Sequence, residues 1–120
     1  MKCLKVKFDG QTEVIDLPTP INESIVNQIG GVKFIKPLEY GGMCIAYDNE
    51  AGTKGLPLNL VATCIQGRTK TRLFGDVIFM GEIQGSDGRI FVDLPKEDIK
   101  TMNIHIKELV EEFIKFTEIK

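Results

Sequence analysis

Hydrophobic and polar residues alternate from the first positions of the chain. In Lys2 to Phe8, Leu4, Val6 and Phe8 share one side and Cys3, Lys5 and Lys7 the other. A period of two predicts a half-buried strand. Asp9-Gly10 follows, a pair suited to a tight hairpin turn, and Thr12 to Leu17 is expected to run back antiparallel.

The period then changes. Ile21, Ile25 and Ile29 are four apart, one apolar stripe of a short helix, with Thr19 as a candidate cap and Pro20 as its first residue. Gly30-Gly31 ends it, with one glycine in the left-handed position. Val32 to Leu38 and Met43 to Asp48 read as strands on either side of a Gly41-Gly42 turn. A glycine-bounded loop, Asn49 to Gly55, leads to Leu56-Pro57-Leu58-Asn59, where Asn59 is placed to cap a helical turn over Leu60 to Ile65.

Beyond the polar, basic stretch Gln66 to Arg72, Leu73 to Ile83 is apolar on both faces, as expected of a central, covered strand. Ser86-Asp87-Gly88 turns it back into Arg89 to Asp93. From Pro95 to about Thr117, Ile99, Met102, Ile106, Leu109 and Phe113 recur every three or four residues, which predicts a long amphipathic helix. The pattern as a whole predicts an α+β fold. An antiparallel or mixed sheet of five or six strands is covered by the long C-terminal helix and by the short helix of the N-terminal half. One domain is expected over residues 1–120, with a sheet-rich part at 1–95 and the helix at 96–118.

Composition narrows the function classes. The chain has 120 residues, 42% hydrophobic and 27% charged, enough for one packed core. No apolar run approaches the roughly 18 residues of a membrane span, and no signal core opens the chain, so neither membrane nor export is expected. The formal net charge of -2 argues against coating of nucleic acid, which needs excess cation. Three cysteines, Cys3, Cys44 and Cys64, fit free thiols in a reducing cytoplasm, and Cys44 and Cys64, each inside an apolar run, are expected to be buried.

Catalytic signatures are sparse. The one histidine, His105, lies on the long helix, and the two serines, Ser24 and Ser86, stand in no nucleophile motif. The four Cys and His residues lack zinc spacing, no phosphate-binding loop is present, and no cofactor is implied. Asp48, Glu50 and Asp76 are the carboxylates available to converge on a sheet edge and hold a divalent metal, the basis of an alternative reading as a small nucleotide-processing enzyme.

Three further features stand out. Arg68, Lys70 and Arg72 put three cations in five residues and, if extended, on one side, suited to a phosphate-bearing ligand or an acidic protein surface. Gly52-Thr53-Lys54-Gly55 has the outline of the clamp loop of KH-type RNA readers, but a strand precedes it, so nucleic acid is not expected there. The rigid Gly55-Leu56-Pro57-Leu58-Asn59 element is by default structural.

The order of these motifs carries a resemblance. Gly30-Gly31 precedes a strand, Asn49-Glu50-Ala51-Gly52 and Gly55-Leu56-Pro57-Leu58-Asn59 follow, and Gly75-Asp76 leads into Val77-Ile78-Phe79-Met80-Gly81. The set resembles an uncharacterised family of phages, prophages and plasmids, domain of unknown function 3846, over about residues 1–95. Leu60 and Val61 depart from the arginine and alanine many relatives carry there. The resemblance brings no activity with it. It implies a mobile-element origin and, from that context, action in the host cytoplasm by binding a host protein or a small nucleotide ligand, as in countering a defence system.

The reading that results is a non-catalytic binding protein whose surface comprises Asn49, Glu50, Lys54, Asn59, Arg68, Lys70, Arg72 and Asp76. A third reading is a structural protein that dimerises through its C-terminal helix. There Ile104, Val110, Ile114, Phe116 and Ile119 add apolar area beyond the stripe.

Overall fold

In the computed structural model of the chain, described for residues 1–31, 33–38, 42–66 and 71–118 (backbone only at 33 and 116–118), alternation and helical periodicity yield a three-layer α+β arrangement. The strands are β1 (Lys2–Val6), β2 (Thr12–Asp16), β3 (Lys33–Pro37), β4 (Met43–Asp48), β5 (Val77–Gly85) and β6 (Gly88–Val92). The helices are α1 (Ile21–Ile29), α2 (Leu60–Ile65) and α3 (Lys96–Glu118).

All pairings are antiparallel, in the order β2-β1-β5-β4-β3, with β6 also on β5. The first half of β5 lies between β1 and β4, with Phe79 opposite both Leu4 and Ile45. Its second half pairs with β6 in a hairpin, Ile83 opposite Ile90. A strand with neighbours on both edges and layers on both faces must be apolar throughout, and Val77, Ile78, Phe79 and Met80 are fully buried.

The two faces of the sheet carry separate cores. Leu4, Val6, Ile45, Tyr47, Val77 and Phe79 pack against α2 and α3; Cys3, Cys44, Ala46, Ile78 and Met80 pack against Ile25 and Ile29 of α1. The two helices expected to cover the sheet therefore cover opposite sides of it. β1 is accordingly buried on both faces rather than one, because Cys3 lies beneath α1, while Phe8 falls beyond the end of the strand, exposed.

Local signals decide the element ends with two corrections. Gly30 is the left-handed C-cap of α1, as its place after the stripe requires. The N-cap is Pro20, with no side-chain cap bond, so Thr19 does not play that part; Ser24 donates to the Pro18 and Pro20 carbonyls instead. Leu73 to Asp76 is not the start of β5. Gly75, at φ 73°, breaks the extended run, and the segment pairs with the Leu56–Asn59 stretch through Leu58 and Phe74.

In α3 the stripe turns inward, Ile106 being buried, with Ile99, Met102, Leu109, Val110 and Phe113 packed on the same core. Val110 thus belongs to the inner face, whereas Ile104 and Ile114 stand outside it, more than half exposed. The side chain of Phe116, and Ile119 altogether, lie outside the described residues. Among the described residues no helix is long and apolar enough to cross a membrane.

Candidate functional site

The residues singled out in the sequence are distributed over the fold rather than gathered in one place. Asn59 is fully buried. Its Oδ1 accepts from the Ala62 amide at 3.0 Å, the expected N-cap bond. Its Nδ2 donates to the Val6 carbonyl at 3.0 Å and to the Gly75 carbonyl at 2.9 Å. With every polar group of its side chain engaged inside the fold, Asn59 is an internal strut and not part of a contact surface.

Lys54 closes the loop after β4. Its Nζ lies 2.5 Å from Asp48 Oδ2, and Asp48 Oδ1 accepts from the Glu50 amide at 2.9 Å. The Asp48 side chain is buried to 2% exposure, so its charge is matched where it stands. Gly31 lies against this pair, and a Cβ there would overlap the Asp48 carboxylate and come within 2.5 Å of Lys54 Nζ. Asn49 and Glu50 are exposed on the same loop. The Gly52-Thr53-Lys54-Gly55 tetrad, with its lysine turned onto Asp48, is a strand-to-loop corner.

Asp76 is committed too. It accepts from the Phe8 amide at 3.1 Å and lies 3.7 Å from Lys5 Nζ, which also donates to Gln28 Oε1 of α1. Asp48, Glu50 and Asp76 therefore do not form the convergent carboxylate set considered for a metal, and no group of three or more His, Cys, Asp or Glu is placed to hold one among the described residues. Arg72 is exposed; Arg68 and Lys70 lie outside the described residues.

The densest unspent chemistry lies at the β3 edge, on the side covered by α2, and the sequence reading had passed it over. Lys36 pairs with Ile45 in the β3-β4 ladder and Phe34 with Tyr47. Residues two apart on a strand share a face, so Phe34 and Lys36 flank Tyr47 on one side of the sheet. The Phe34 and Tyr47 ring centroids are 5.5 Å apart with planes tilted by 54°, and Lys36 Nζ stands 5.8 Å from the Tyr47 centroid.

Gln66, the C-cap of α2, joins this group from above. Its Oε1 accepts from Lys36 Nζ at 2.7 Å, while its Nε2 donates to the Thr63 and Thr71 carbonyls. Buried and with both amide groups engaged, Gln66 fixes the ammonium and brings the residue before Arg72 onto the same side chain.

Lys36 is half-buried and belongs to none of the ion pairs among the described residues. Among the described residues its surroundings withhold water without supplying an anion, and desolvation pulls its pKa below the ordinary lysine value. The same burial pushes the Tyr47 phenol upward. A part-desolvated ammonium held by a neutral amide and an aromatic face can receive an anionic group.

A cavity of about 240 Å³ lies on the other side of Ile65, floored by Met43, Ile65 and Met102 and rimmed by Asp98, Thr101 and His105. A wider groove of about 580 Å³ runs between the β1-β2 turn, the start of α2 and the end of α3, past Phe8, Leu60, Val110 and Ile114. No family model, no curated protein and no solved structure matches the chain.

Proposed function

We propose that this chain is a non-catalytic binding protein that takes up an anionic group at the corner formed by Lys36, Gln66 and Arg72. The observation that carries the reading is Lys36 itself. Its ammonium is fixed by the Gln66 amide at 2.7 Å and set over Tyr47, yet it has no carboxylate among the described residues. Elsewhere the buried charge of this fold is neutralised, as at Asp48 and Lys54. A cation with no carboxylate partner among the described residues, on an edge strand, is what an incoming phosphate or carboxylate completes.

The mobile-element origin implied by the family resemblance belongs to this reading. An anion receptor without catalytic equipment fits a protein that sequesters a nucleotide signal, or docks on an acidic host surface, in the host cytoplasm to counter a defence system. Direct titration of the chain with inorganic phosphate tests it. Binding that weakens with added salt, and weakens at least tenfold in Lys36→Met, is expected. Equal binding by wild type and Lys36→Met overturns the reading.

A second reading, self-association through the C-terminal helix, is favoured by the groove at the end of α3, where Phe8, Leu60 and Ile114 remain 49%, 42% and 52% exposed. Sedimentation at several concentrations, with Ile114→Asp as the disrupting variant, decides it. A wild-type mass independent of concentration and equal to one chain rejects it.

A further inference from the structure

We infer that the anion received at this corner is the phosphate of a free nucleotide, with Phe34 supplying the stacking face for its base. The inference rests on the anion-binding reading above and adds the chemical class of the ligand. Tyr47 is 7% exposed and Phe34 46%, so the inner ring is fixed in the core and the outer ring keeps an open surface. The 54° tilt and 5.5 Å centroid separation show that the two rings are not stacked flat on one another. That contact uses at most one face of Phe34, and the residue remains 46% exposed.

The spacing fits the same ligand. Two residues apart on one strand face corresponds to about 6–7 Å, a distance the base and phosphate of one nucleotide bridge. Lys36 carries three donor protons and, among the described residues, spends one on Gln66, leaving two for phosphate oxygens. A base stacks on any aromatic face, and a phosphate prefers a cation that is already short of water. An anion without a ring would use only half of this arrangement, and Phe34 would stay exposed to no purpose.

The formal net charge of -2 argues against a long polyanion as the ligand. A polynucleotide needs a run of cations along its backbone. Among the described residues the site offers the Lys36 ammonium, with the exposed Arg72 following Thr71, whose carbonyl Gln66 holds, a provision for a mononucleotide.

Calorimetric titration of the full chain with AMP, inorganic phosphate, adenosine, a short oligoadenylate and an aromatic-free acidic peptide tests the assignment. Wild type is expected to bind AMP about 10-fold more tightly than phosphate. Phe34→Leu should abolish that advantage and leave phosphate binding intact, Phe34→Tyr should keep it, and Lys36→Met should weaken both ligands. Thermal melts of each variant confirm folding. Phosphate and AMP bound equally well, or an AMP advantage that survives Phe34→Leu, overturns the nucleotide inference while the anion reading stands. Oligoadenylate or the acidic peptide bound more tightly than AMP also overturns it. Loss of all binding differences between wild type and Lys36→Met overturns the anion reading itself.

Discussion

The Asn59 side chain donates to the carbonyl of Val6, 53 residues earlier in the chain, at 3.0 Å. One amide thereby joins the end of β1, the Gly75 carbonyl ahead of β5 and the first turn of α2. An N-cap alone is worth about 1 kcal/mol. Truncation here also strands two buried carbonyls, each costing about 1–3 kcal/mol.

Asn59→Ala is therefore expected to destabilise the chain by about 3 kcal/mol, well beyond a cap. Asn59→Asp is expected to be no better, because it keeps the cap acceptor but sets a carboxylate against the two carbonyls. Urea unfolding of the three proteins measures both. A loss near 1 kcal/mol in Asn59→Ala would show that the two carbonyl bonds add nothing.

The part of Asn59 that was legible in the sequence was local. An asparagine after proline and before an apolar run announces a cap, and the cap is there. Its bonds to Val6 and Gly75 depend on how distant segments meet, which no spacing encodes. The same divide runs through the fold. The apolar stripes placed α1 and α3 closely, because one face of each is repeated in the chain, and the glycine turns before them placed β2 and β4. Leu73 to Asp76 was read into β5 because its apolar content outweighed the turn chemistry of Gly75. Phe34 and Lys36 were passed over for a related reason. On an edge strand an aromatic on the core-side face looks like core, and only the fold shows that Phe34 stays 46% exposed.

Cys64 separates pattern from packing in a testable way. Within the run Val61 to Ile65 it reads as buried, yet α2 turns Val61, Ala62 and Ile65 to the sheet and Cys64 to solvent, exposed. Cys3 and Cys44 are buried, and burial pushes both thiols up to about 12. Thiol titration should give one fast-reacting group in the folded chain and three after denaturation.

The same shifts set a pH dependence. The unfolded thiols ionise near 9.0 while the folded ones keep their protons. Their contribution is thus complete below about pH 9 and lost as pH rises toward 12. Cys44→Val should flatten part of that alkaline loss.

The orientation of α3 yields a paired comparison. Ile106 is 3% exposed and Ile104 53%, two residues apart on the same helix. Ile106→Ala should cost about 2–5 kcal/mol through lost burial and a cavity, and Ile104→Ala should stay within about 0.5 kcal/mol. Denaturant midpoints at constant slope measure the difference. Comparable losses at both positions would mean that Ile104 is covered in solution.

Lys36 makes the sharpest contrast between stability and function. Its pKa lies below the ordinary 10.5 because its ammonium is desolvated. The folded chain therefore gives up that proton before the unfolded chain does. Holding the charge opposes folding at neutral pH, and the opposition fades as pH rises through the folded value toward 10.5. Lys36→Met removes this cost but leaves Gln66 Oε1 without its donor, a loss of about 1 kcal/mol. The two effects offset, so the variant is expected to be within about 1 kcal/mol of wild type at neutral pH while losing anion binding. Its stability relative to wild type should also decline as pH is raised, since wild type alone is relieved. Paired melts at neutral and alkaline pH, alongside the phosphate titration, read both quantities. A variant destabilised by much more than 1 kcal/mol, with its anion affinity unchanged, would make Lys36 a packing residue and move the site elsewhere.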